Sequence, residues 1–90
     1  MPPGRRIWFS PDCDKAAERL GGYRRVDRSL DAFWDGLSRD PYGFPKIETD
    51  WFSIRYIITE SIGTIPSLIW FFTIESGDVT LTHVEEHETY

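Results

Sequence analysis

A chain of 90 residues, 40% hydrophobic and 16% aromatic, has enough apolar area for one hydrophobic core and too little for two, so a single domain spanning residues 1–90 is expected. Its one cysteine, Cys13, excludes an internal disulfide, and one cysteine with two histidines falls short of a structural zinc set. The formal charge of −5 is unevenly spread: residues 1–39 hold eight basic residues against six acidic ones, whereas residues 40–90 hold only Lys46 and Arg55 against nine acids. A nucleic-acid surface built from the second half would start against phosphate repulsion.

Residues 1–5 read as a tail and residues 6–10, with Ile7, Trp8 and Phe9, as a short strand. That apolar run is too short for a signal-peptide core, and the longest one, residues 68–72, is far below the roughly 18 residues a bilayer span needs. A cytoplasmic protein without membrane contact is therefore expected. Ser10 followed by Pro11 is a helix start, because the serine hydroxyl accepts from free amides and proline fits the first helical position. Asp12 and Asp14 then sit at the positive end of the helix dipole. Cys13, Ala16, Ala17 and Leu20 form one apolar face, and Gly21 and Gly22 end the helix.

In the second helix Val26, Leu30, Phe33, Trp34 and Leu37 follow helical spacing, with Arg24, Arg25, Arg28, Asp31 and Asp35 on the other side. Trp34 and Leu37 are expected to be buried against the sheet. The helix ends before Asp40-Pro41, since proline disfavours helical backbone in the residue ahead of it. Residues 42–50, with Gly43 and Pro45, read as a connection.

From Trp51 the period changes to two, with Phe52, Ile54, Tyr56 and Ile58 alternating with Ser53, Arg55, Ile57 and Thr59. A loop at residues 61–66 leads into a strand over residues 67–75, and Ser76-Gly77-Asp78 is a tight hairpin signal into residues 79–86. The result is a three-stranded antiparallel meander. Its middle strand is apolar on both sides, with Leu68, Trp70, Phe72 and Ile74 on one face and Ile69, Phe71 and Thr73 on the other. Two helices cover one face of a small sheet. Ile69 and Phe71 therefore either lie beneath the 40–50 connection, under Tyr42, Phe44 and Trp51, or form an interface with another chain.

This α+β layout of an N-terminal strand, two helices on one sheet face and a C-terminal meander resembles the RelE/ParE superfamily of small toxins from toxin–antitoxin pairs. Local echoes are Leu30-Asp31-Ala32-Phe33-Trp34 running to Asp40-Pro41, Ser53-Ile54-Arg55-Tyr56, and Val79-Thr80-Leu81-Thr82-His83-Val84. The resemblance implies a toxin-type protein held by an antitoxin. It also implies a target that is either ribosome-bound messenger RNA, cut by RelE-like members, or DNA gyrase, inhibited by ParE-like members. Arg55 matches the arginine often found in the first meander strand, and His83, His87 and Tyr90 lie where nuclease members place a histidine or tyrosine. A metal-independent RNase site would use these four as base, acid and phosphate-binding cation. The departure from the family is charge, because Glu75, Asp78, Glu85, Glu86 and Glu88 surround that region. Binding, as a toxin or as a non-toxic interaction or self-associating module of the same fold, is thus expected ahead of catalysis.

His83-Val84-Glu85-Glu86-His87 has two histidines four apart, but a zinc-protease motif needs a helix and a glutamate directly after the first histidine. Here Val84 stands in that place and the segment reads as strand. No metal or other cofactor site is expected. Cys13 reads as a small buried hydrophobe.

Overall fold

The computed structural model describes residues 5–48, 50–51 and 53–87. In chain order they form strand β1 (Ile7–Phe9), helix α1 (Pro11–Arg19), a short helix α2 (Tyr23–Val26), a 3-10 turn (Asp27–Leu30), helix α3 (Asp31–Arg39) and a second 3-10 turn (Pro41–Gly43). Strands β2 (Lys46–Glu48), β3 (Ser53–Thr59), β4 (Leu68–Glu75) and β5 (Asp78–Glu86) follow. The strands lie in the order β1-β5-β4-β3-β2. The meander β3-β4-β5 is antiparallel throughout, and β2 extends it antiparallel to β3. The expectation of an N-terminal strand beside an antiparallel sheet is refined by its pairing: β1 runs parallel to β5, so the sheet is mixed. The residue 42–50 connection likewise contains a strand, β2, too short to show a period in sequence.

Local signals account for the boundaries. The Ser10 hydroxyl accepts from the Cys13 amide at 3.1 Å, and Pro11 opens the helix as expected. Gly21 and Gly22 take φ of +104° and +92°, backbone that a side chain disfavours, and the Gly22 amide returns to the Ala17 carbonyl at 2.8 Å. Ser76 and Gly77 both have positive φ, which is the two-residue hairpin turn whose twist matches that of the strands it joins. Residues 1–4 of the expected tail lie outside the described residues. Arg5 is tied down: its amide donates to the Ser38 carbonyl at 2.9 Å and its guanidinium to the Arg39 carbonyl at 2.8 Å, satisfying the end of α3.

The core lies between the helices and one sheet face. Cys13, Ala16 and Ala17 of α1, with Val26, Leu30 and Leu37, meet Ile57, Leu68, Trp70, Phe72, Val79, Leu81 and Val84. The second helix is broken into α2, a 3-10 turn and α3, and the break has a polar cause. In the tightened turn Ser29 is buried, its hydroxyl donating to the Val26 carbonyl at 2.7 Å and accepting from the Trp70 indole N–H at 3.0 Å. The largest core side chain thereby keeps its polar atom satisfied.

Leu37 is fully buried as expected, but Trp34 is 43% exposed. The reason is its position over the edge strand β1, where it stacks on Phe9 at 6.3 Å. The apolar stripe closes instead through Phe33, which meets Phe44 at 6.3 Å, and Phe44 in turn packs edge-on to Phe72 at 5.7 Å. Phe44 thus covers the helix side of the sheet and is no cover for Ile69 and Phe71. Among the described residues no helix is long and apolar enough to cross a membrane.

Candidate functional site

The inward face of β3 carries Arg55, Ile57 and Thr59, the less apolar of its two faces. Each polar group there has a structural task. The Thr59 hydroxyl donates to the Leu68 carbonyl and accepts from the Leu68 amide, both at 3.2 Å. The Arg55 guanidinium donates to the carbonyls of Tyr42 at 3.1 Å and Phe44 at 2.8 Å, and lies over the Tyr42 ring at 5.5 Å. Arg5 approaches the same ring at 5.4 Å. Two cations therefore clamp the connection between α3 and β2.

A bulge in β5 decides where His83 goes. Phe71 pairs with His83, but Phe72 pairs with Leu81, so Thr82 is the extra residue. Strict alternation from Val79 and Leu81 would turn His83 inward and Val84 outward. The bulge reverses both. The Thr82 hydroxyl donates to the Phe71 carbonyl and its own carbonyl accepts from the Ser10 hydroxyl, each at 3.3 Å, which holds the irregularity against the start of α1.

His83 consequently stands on the sheet face away from the helices, stacked on Phe71 at 6.0 Å with its Nε2 3.4 Å from the Glu85 carboxylate. Arg55 stands on the opposite face. Of the four residues expected to form an RNase site, the sheet thus separates Arg55 from His83. His87 lies just past β5, its amide bonded to the Ser67 carbonyl at 2.9 Å, and Tyr90 lies outside the described residues. Among the described residues no group of three or more histidine, cysteine or acidic side chains is placed to hold a metal ion. A shallow groove of about 180 Å³ between the end of α1 and β5, lined on the helix side by Ala16, Arg19, Leu20, Val84 and Glu86, is small beside the 300–1,000 Å³ typical of small-molecule sites.

No protein family, curated protein or solved structure matches this chain. The site must therefore be read from its own chemistry.

What the geometry does assemble is an apolar surface. Tyr56 pairs with Phe71 and Phe71 with His83, while Ile58 pairs with Ile69 and Ile69 with Glu85, giving two cross-strand rows on the face away from the helices. Ile47 and Ile54 pair on the same side, and Trp8 projects there from β1 opposite Thr80. Ile47 and Ile58 are each 45% exposed and Trp8 52%. Ile69 and Phe71, singled out from the sequence, lie at its centre and are half-buried by these neighbours. Trp8, Ile47 and Ile58 were missed. Ile58 shares with Ile54 and Tyr56 the more apolar face of β3, which alternation alone would turn towards the core, and Trp8 and Ile47 lie in three-residue strands too short to show a face.

On the helix side, the Tyr23 hydroxyl donates to the Asp14 carboxylate at 2.6 Å and lies within reach of the Cys13 thiol. Burial first, then the neighbouring Asp14, raises the tyrosine well above its ordinary value. Burial likewise pushes the Cys13 thiol up, so it is held as an unreactive thiol.

Proposed function

We propose that this chain acts by binding another macromolecule through the open face of its sheet, without catalysing a reaction. The observation that carries this reading is the contiguous apolar set Ile47, Ile54, Tyr56, Ile58, Ile69 and Phe71, with Trp8 on the same side across Thr80 and Thr73, on a face that no described helix covers. Surfaces of this kind mark interaction sites in small domains. The separation of Arg55 from His83 by the sheet supports the non-catalytic half of the proposal, because phosphate cleavage needs its cation and its base on one reacting group.

A photo-reactive amino acid in place of Ile58 tests it. In the host cells it should give a discrete adduct with one macromolecule, whereas the same residue in place of Glu18, exposed on the outer side of α1, should give none. Adduct formation from position 18 alone would contradict the proposal.

A narrower reading is a toxin of the RelE/ParE type bound by an antitoxin, and the observation that favours it is the succession of a strand, helices and an antiparallel three-stranded meander. Induced expression should then arrest growth with messenger RNA left intact, and co-expression of a partner encoded beside it should relieve the arrest. Codon-aligned cleavage of messages, lost on Arg55→Ala, would replace binding with catalysis.

A further inference from the structure

The open face is apolar in its middle and acidic at both ends along the strand direction. Glu75, at the end of β4, pairs with Asp78 at the start of β5, and alternation from Phe71 and Thr73 puts both on this face. At the other end Glu85 pairs with Ile69. Among the described residues Arg6, beside β1, donates its amide to the Asp78 carboxylate at 3.2 Å, and His83 Nε2 lies 3.4 Å from the Glu85 carboxylate. Six residue steps along β4 separate the row of Glu75 from that of Ile69, about 20 Å of strand.

A second copy of this chain is a poor occupant. Sheets packed face to face align their strands to within about 30°, running either the same way or opposite ways. Because both ends are acidic, either alignment sets carboxylates against carboxylates. The complementary surface is apolar in the middle with basic groups about 20 Å apart, a spacing that about 13 residues of helix supply. A helix lying on a sheet is also the standard way to complete a second layer.

We infer that the open face receives an amphipathic helix of a partner protein, apolar on its docking side and basic at both ends. This rests on the reading of the open face as a binding surface. Affinity comes from the aromatic and isoleucine side chains, and orientation and partner choice from the acidic ends.

The test uses two designed helices with the same leucine face, one with lysines and the other with glutamates at its ends, titrated against the full chain by fluorescence anisotropy. The proteins are the wild type, Phe71→Ser, Ile58→Ser and the double variant Glu75→Lys/Glu85→Lys, each checked for folding by circular dichroism. The lysine-ended helix should bind the wild type at least about tenfold more tightly than the other, with an advantage that shrinks in high salt. The double variant should invert the preference, and Phe71→Ser or Ile58→Ser should weaken both. Equal binding of the two helices, lost in Ile58→Ser, would overturn the charge inference and leave the open face as a binding surface. Binding unchanged in both serine variants would overturn the two together. Absence of binding at millimolar helix, or self-association abolished by Ile58→Ser, would overturn the helix as occupant.

Discussion

Arg55 and His83 stand on opposite faces of the sheet because they pair with adjacent residues of β4, Phe72 and Phe71. Neighbours in a strand point to opposite sides, so no change of rotamer brings the guanidinium and the imidazole to one phosphate. Arg55 instead donates to two carbonyls of the connection into β2. Arg55→Ala should cost about 1–3 kcal/mol of stability in urea melts, since two carbonyls lose a charged donor and Tyr42 loses a stacked cation. If the variant melts with the wild type while a nuclease activity disappears, Arg55 is catalytic after all.

The Trp70–Ser29 bond gives a second prediction. Ser29→Ala removes a small group but strands a buried indole N–H, which should cost about 1–3 kcal/mol. The indole emission of the folded state should shift with it. A variant as stable as the wild type would mean that the 3-10 turn does not hold Ser29 beneath Trp70.

Trp34 and Trp70 should differ sharply. Trp70 has no exposed surface, and Trp70→Ala should cost about 3–5 kcal/mol, a large part of the stability of a domain this size. Trp34→Ala should cost only about 1–2 kcal/mol, because the ring is 43% exposed and stacks on Phe9 at the sheet edge. Equal losses in chemical denaturation would place Trp34 in the core.

Alkaline stability follows from Cys13 and Tyr23. Both are held neutral in the fold, with values raised from about 9.0 and 10.0, so the unfolded chain loses these protons first. Their contribution is complete below pH 9 and declines as pH rises beyond the unfolded values. Wild-type melting temperature should fall above pH 9 more steeply than that of a Cys13→Ala/Tyr23→Phe double variant. Parallel declines would show that neither group is shifted.

Much of this architecture is legible in the residues. Ser10-Pro11, Gly21-Gly22 and Ser76-Gly77 are local rules of backbone chemistry, and each marks the boundary it predicts. What escapes is set by distant contacts. The parallel pairing of β1 with β5 joins residues 72 apart, and the break in the second helix depends on an indole 41 residues away. The bulge at Thr82 leaves one trace, the step of three from Leu81 to Val84 where alternation demands two. Ile69 and Phe71 could be picked out because β4 is apolar on both sides. The rest of the open face could not, since which side of β3 meets the helices depends on its register with β4.

The most direct test of the open face is isoleucine methyl NMR with a soluble paramagnetic agent. Ile47 and Ile58 are 45% exposed on the face away from the helices, whereas Ile57 and Ile65 are 2% and 5% exposed. The methyls of Ile47 and Ile58 should lose intensity strongly while those of Ile57 and Ile65 keep theirs. Equal protection of all four would show the face covered in the free chain, and binding through it would be contradicted.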